Sequence, residues 1–245
     1  MESTTTVERK IPAIGEIIQK LGFYGLIGGI TRCPRGYSME QSLAIVEAIG
    51  KQKNPKFVID ADNRFAYEQM IRWCHADPAM QCINPETRMP VQGDLKKGLY
   101  IAGNTGTGKS WALEIIRAYC IVNRFAIRYT ATKESVLSWR NIRVDEICDT
   151  FAQSGQMRQF KDMQCMGIQD LGAEPAESVY MGNRMNVLGQ LIEYRGDRSD
   201  FMTLFTSNLP INHKLLVGRY GDRVASRLNE MCNYLEITGR DRRKM

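Results

Sequence analysis

The chain has 245 residues, 43% of them hydrophobic and 24% charged, and a net charge of +6. That composition supplies one large or two small cores, and the chain lacks an apolar run of the roughly 18 residues that a membrane span needs. The first ten residues mix acids with bases, unlike a signal or transit peptide, and seven cysteines without a paired framework fit a reducing cytoplasm.

Ile14, Ile17, Ile18 and Leu21 recur at helical spacing and predict a helix over residues 11–21. A glycine- and aromatic-rich connector follows over 22–34. Ser38 and Gln41 form a capping box that opens a second helix through residue 49. Phe57-Val58-Ile59 reads as a short strand or extended entry, and 63–74 as an amphipathic helix carrying Phe65, Tyr67, Met70, Ile71 and Trp73. Pro85, Pro90 and Gly93 mark residues 83–97 as a linker. The expected organisation is an N-terminal region, 1–95, followed by a second unit, 96–245.

From Gly98 strands and helices alternate. Strands are predicted over 98–102, 124–130, 163–169, 201–206 and 234–237. Helices are predicted after Ser110 and over 144–151, 185–195 and 217–231. Such alternation predicts an α/β fold with a mostly parallel sheet covered on both faces, and ligands at the carboxyl ends of its strands.

Cys74, His75 and Cys82 match no zinc spacing and read as packing residues. His213 is the other histidine, so histidine-based nucleophilic catalysis has little material. Residues 214–245 hold eight Lys or Arg against four Asp or Glu. A basic tail suits a polyanion, and equally a solvated helix face.

Gly103-Asn104-Thr105-Gly106-Thr107-Gly108-Lys109-Ser110 is a complete Walker A loop, set between a predicted strand and a predicted helix. Its glycines let successive backbone N–H groups turn inward on a phosphate, and the helix start adds the positive end of its dipole. Lys109 is expected at the terminal phosphates and Ser110 on Mg²⁺. Asp170 follows the apolar run Met166-Gly167-Ile168, a Walker B arrangement that delivers a carboxylate near the phosphates. Asn208 ends the strand Met202-Thr203-Leu204-Phe205-Thr206. It suits either a γ-phosphate sensor or a helix cap; beside a Walker A loop and a Walker B strand, the sensor reading is favoured.

These motifs, with Ile168-Gln169-Asp170-Leu171-Gly172-Ala173-Glu174, Thr206-Ser207-Asn208-Leu209 and Tyr220-Gly221-Asp222-Arg223-Val224-Ala225-Ser226-Arg227-Leu228, resemble the DnaC/IstB group of AAA+ ATPases. That group contains bacterial helicase loaders and helper ATPases of transposition. The resemblance covers about residues 96–245. It implies a P-loop AAA+ fold with an ATPase unit over 96–245, here preceded by a small, mainly helical N-terminal region, 1–95, that binds the partner. It implies ATP and Mg²⁺ as cofactors, Asn208 as sensor 1, and Arg227 as an arginine finger reaching a neighbouring subunit, with Arg223 as second candidate. Arg243 resembles the sensor 2 position, within a cluster formed with Arg240, Arg242 and Lys244.

Two features depart from AAA+ patterns. Gln169 stands where the group usually has the Mg²⁺-ligating acid, so Asp170 is left to hold the metal as well as act in catalysis, and hydrolysis is expected to be slow. Only 37 residues follow Asn208, too few for a separate helical lid, as in the loader group. The resemblance implies ATP-dependent self-assembly on single-stranded DNA to load a replicative helicase, or alternatively a transposase partner. A metabolic P-loop kinase is disfavoured by the sensor and finger residues.

Overall fold

The computed structural model describes residues 13–23, 29–129 and 133–242. Its first helix, α1 (Ile14–Phe23), leaves Ile14 and Ile18 exposed. After β1 (Thr31–Arg32) comes α2 (Met39–Lys53), which starts at the expected cap: Ser38 Oγ accepts from the Gln41 amide at 3.4 Å. Residues 57–59 form no strand. Phe57 instead buries its ring against α2 at Gly50, where a β-carbon would lie 2.2 Å from the ring. Helix α3 (Arg64–Cys74) follows, with Tyr67, Met70, Ile71 and Trp73 buried as its periodicity requires.

The expected linker over 83–97 contains part of an antiparallel hairpin, β2 (Gln81–Ile83) with β3 (Pro90–Gln92). Asn84 builds its turn by accepting from the amides of Glu86 and Thr87 at 2.9 and 3.0 Å. Pro90 is tolerated because β3 is an edge.

The remaining elements are β4 (Gly98–Ala102), α4 (Lys109–Asn123), β5 (Ala126–Arg128), β6 (Glu134–Val136), β7 (Arg140–Arg143), α5 (Val144–Ser154), α6 (Arg158–Lys161) and β8 (Cys165–Leu171). Then come β9 (Ser178–Tyr180), β10 (Asn183–Met185), α7 (Val187–Gly196), β11 (Met202–Ser207), α8 (Lys214–Tyr220), α9 (Asp222–Met231) and β12 (Cys232–Glu236). Five strands form one sheet in the order β12-β4-β11-β8-β7, and every pair in it is parallel.

Three expectations are corrected. The strand near 124–130 exists as β5, but it pairs antiparallel with β1 and β6 in a separate small sheet. The outer parallel neighbour of β8 is β7, whose residues Arg140-Asn141-Ile142-Arg143 carry one apolar side chain, as a sheet edge permits. The predicted helix over 217–231 is two helices, broken at Gly221, whose φ of 86° suits glycine.

Alternation along β4 sorts the core into two faces. Leu99 and Ile101 face a cluster containing Val46, Met70, Trp73, Leu113 and Ile116. Tyr100 and Ala102 face Ile142, Ile147, Leu191 and Leu228. Helices α2 and α3 therefore share one core with the P-loop helix α4, and the expected boundary at residue 95 falls between β3 and β4. His75 lies in this layer. Its Nδ1 is 3.2 Å from the Arg35 carbonyl, which fixes the proton there, so Nε2 accepts from the Tyr119 hydroxyl at 2.8 Å. Cys74 and Cys120 bring their sulfurs within 3.3 Å.

Candidate functional site

Strand order builds the site. The P-loop leaves the carboxyl end of β4 and the acid leaves the end of β8, but these strands are not neighbours. β11 lies between them. Asn208, one residue past the end of β11, thus sits between loop and acid. The P-loop itself is held internally: Thr107 is buried and its hydroxyl donates to the Asn104 carbonyl at 2.9 Å. Gly108, at φ 98°, caps α4 in a left-handed conformation that a side chain would strain.

Lys109 is buried at the start of α4 rather than waving from an open loop. Its ammonium donates to the Asn104 carbonyl and to Asn208 Oδ1, each at 2.8 Å. A cavity of about 520 Å³ opens beside it, walled by Gly106, Ser110, Arg143, Asp170, Asn208 and Arg242 among others. Among the described residues that line it, three side chains are cationic, Lys109, Arg143 and Arg242, and one, Asp170, is a carboxylate. That balance suits a polyanion.

Asp170 reaches the cavity through a bulge. Between Phe205 and Ser207 of β11 the register with β8 slips by one residue, and Asp170 takes φ 63°. Its amide donates to Thr206 Oγ1 at 3.0 Å, and its Oδ2 lies 3.3 Å from Arg143 Nη1. Gln169 turns inward: it is buried, and its Nε2 has no partner among the described residues. Glu174, the next acid, is taken by structure. It accepts from the Tyr220 hydroxyl and from the Gly172 amide, tying the loop after β8 to α8. Burial, and after it the Glu174 carboxylate, pushes the Tyr220 phenol far above its ordinary value.

Ser110 and Asp170 both present oxygen to the cavity, the donor chemistry that Mg²⁺ takes alongside phosphate oxygens. With Lys109, Arg143 and Arg242 lining the same cavity, the residues present fit a magnesium–nucleoside triphosphate.

The candidate arginines divide. Arg227 does not line the cavity; it lies on α9, paired with Asp197 and Glu230. Arg223 pairs with Glu193 at 3.4 Å on the same surface. Arg243 lies outside the described residues. Arg242 beside it does line the cavity, and Arg143 does too; neither was singled out by a motif. For Arg242 the only sequence signal was the basic cluster, and for Arg143 there was none. Four bases of the expected basic tail are engaged within the chain: Arg219 on the Glu174 carbonyl, Arg223, Arg227 and Arg242 on carboxylates.

The strand order, the loop and the acid define a P-loop protein with the α/β fold of the AAA+ ATPases. Its structural neighbours are AAA+ replication proteins. It superimposes on a protein of Streptococcus pyogenes serotype M3 described as a primosome component, with a TM-score of 0.51 and 17% identity, over 76% of this chain and 85% of that one. A DnaC helicase loader is similar at a TM-score of 0.45 and 17% identity, over 75% and 94% of the two chains. DnaA of Aquifex aeolicus bound to AMPPCP gives 0.45 and 14%, over 74% and 48%. At 17% identity, the likeness to the Streptococcus pyogenes protein shows the fold alone. A scan against protein-family models finds no match, and neither does a search of curated proteins.

Proposed function

We propose that this protein is an ATP-dependent switch of DNA replication, of the helicase-loader kind. The observation that carries the nucleotide reading is the Lys109 ammonium held between Asn104 and Asn208 beside a cavity with excess positive charge. In this reading the loop amides and Lys109 bind the phosphates. Ser110 and Asp170 would hold Mg²⁺, which would supply positive charge against the phosphates. Asn208 positions the attacking water or the terminal phosphate. Asp170 has to serve the metal while paired with Arg143, and Gln169 adds no charge, which supports slow hydrolysis.

Arg227 cannot act on its own chain's cavity from α9, so its role as a finger requires a second subunit. ATP-bound copies would then assemble side by side on single-stranded DNA and place a replicative helicase there. The exposed Ile14 and Ile18 of α1 offer an apolar face to such a partner. No helix among the described residues is long and apolar enough to cross a membrane. All seven cysteines are free thiols, which supports a cytoplasmic setting.

The test is release of inorganic phosphate from ATP with and without DNA. Single strands are expected to stimulate release. DNA affinity is expected to fall linearly with salt on logarithmic axes as counterions are released. A strong preference for duplex would shift the reading to a transposition helper with a transposase partner, and a phosphorylated small-molecule product would overturn it.

A further inference from the structure

The segment after β12 does not run free; it crosses the P-loop and wedges against the N-terminal layer. Ile237 donates its amide to the Ala102 carbonyl at 2.9 Å, and Arg242 donates its own to the Gly106 carbonyl at 2.9 Å. The Asp241 carboxylate lies so close that a β-carbon on Gly106 would sit 2.0 Å from it. On its other side the segment meets residues 58–62: Thr238 donates its amide and its hydroxyl to the Asp62 carbonyl at 3.3 and 3.1 Å.

Arg242 spans this sandwich. It lines the phosphate cavity, yet it is only 7% exposed. Its Nη2 donates to Asp60 Oδ1 at 2.7 Å and its Nη1 to the Val58 carbonyl at 3.5 Å. Its Nε is buried with no partner among the described residues. Asp60 in turn organises the start of α3. Its carbonyl accepts from the Arg64 amide at 2.8 Å, its Oδ1 from the Asp62 amide at 3.1 Å, and its own amide donates to Asn63 Oδ1 at 2.9 Å.

We propose that Arg242 is a phosphate-binding residue of the cavity, and that its pairing with Asp60 relays phosphate occupancy to the turn that begins α3. The inference rests on the nucleotide reading above and adds both a binding residue and a route out of the site. Arg242 already lines the cavity, and its fork of donors can be shared between Asp60 and a phosphate oxygen. A polyphosphate arriving beside it competes with Asp60 for the same charge, and in a poorly hydrated setting that competition is strong. The Asp60 carboxyl is held below the usual carboxylate range by this arginine, so the pair is charged at neutral pH and its balance is open to a third charge. Loosening Asp60 loosens the hydrogen bonds of residues 58–64. The N-terminal layer thereby senses the nucleotide without touching it.

Two measurements on the full chain test this: ATP affinity by displacement of a fluorescent ATP analogue, and amide hydrogen exchange in peptides spanning residues 57–64 with and without ATP. Arg242→Gln is expected to weaken ATP binding by roughly tenfold or more, the worth of a charge-assisted contact. Arg242→Lys, which keeps charge but not the fork, is expected to lie between, and it stands in if the glutamine variant folds poorly. Wild type is expected to change its exchange over 57–64 when ATP binds. Asp60→Asn is expected to bind ATP and to lose that change. Wild-type affinity in both Arg242 variants, or an exchange response that Asp60→Asn retains or wild type lacks, overturns the proposal. Lys109→Ala separates the two readings: if it alone loses ATP, the P-loop reading stands while this one fails, and if it too binds ATP normally, both fall.

Discussion

The ammonium of Lys109 is bonded to Oδ1 of Asn208 across a separation of 99 residues, at 2.8 Å. The contact exists because β11 is inserted between the strand of the P-loop and the strand of the acid. It joins Lys109 and Asn208 into one unit, so on the proposed reading phosphates entering the cavity meet both.

Lys109→Ala and Asn208→Ala are therefore expected to separate binding from chemistry. Lys109→Ala should lose ATP affinity by about 100-fold, as removal of a charged, hydrogen-bonded donor from a phosphate site implies. Asn208→Ala should keep ATP affinity within a few-fold and lose tenfold or more in phosphate release. Titration with a fluorescent nucleotide and a phosphate-release assay check this. Unchanged hydrolysis in Asn208→Ala would reduce Asn208 to a cap.

Gln169→Asp is expected to make ATP binding more dependent on Mg²⁺. It replaces a buried amide, whose nitrogen lacks a partner, by a carboxylate that needs a cation. The free protein should melt several degrees lower, and Mg²⁺-ATP should raise its melting temperature more than that of wild type. Thermal shift across a Mg²⁺ series measures both. If neither Gln169→Asp nor Asp170→Asn alters the Mg²⁺ response, the metal is not held at the end of β8.

Arg227→Ala is expected to bind ATP like wild type and to lose hydrolysis that depends on assembly. Fingers in well-studied nucleotide hydrolases contribute about 10³ to 10⁵ in rate, so even a weak one should show as tenfold. Mixing Arg227→Ala with Lys109→Ala subunits should restore part of the activity, each supplying what the other lacks. With assembly confirmed by light scattering, absence of rescue would assign Arg227 to its pairs with Asp197 and Glu230, leaving Arg223 as the candidate.

Acid is expected to weaken the fold through His75. Burial lowers its pKa below the ordinary 6.5, so the unfolded chain takes up a proton there before the folded one does. This contribution is fully present above the unfolded value and is lost as pH falls below it, with a slope of at most about 1.4 kcal/mol per pH unit. Melting curves between pH 7.5 and 5 should therefore decline more steeply for wild type than for His75→Gln. Parallel declines would remove His75 as the source.

The P-loop, Asp170 and Asn208 were legible because each rests on local pattern: glycine spacing, an apolar run ending in a carboxylate, a strand ending in a polar residue. The parallel sheet was legible for the same reason, except at β7, where one apolar side chain in four gives no periodicity. Arg143 was hidden with it. Arg242 could not be told from its neighbours because what selects it is a partner 182 residues away, Asp60. The bulge that aims Asp170 was equally invisible, since it depends on register against β11. The break at Gly221 was in view as a glycine, but the apolar spacing of Val217, Val224 and Leu228 ran through it.

The core that α2 and α3 share with α4 sets a rule for anyone exchanging parts of this protein. A graft made at residue 95 would transplant Val46, Met70 and Trp73 without Leu113 and Ile116, the surface they close upon. Two half-interfaces would result, each with bare apolar area. If the N-terminal layer sets partner choice, as proposed, that choice is best moved between related chains as a block that runs through the end of α4, or tested by point changes on the exposed residues of α1, with the P-loop helix treated as common property of both halves.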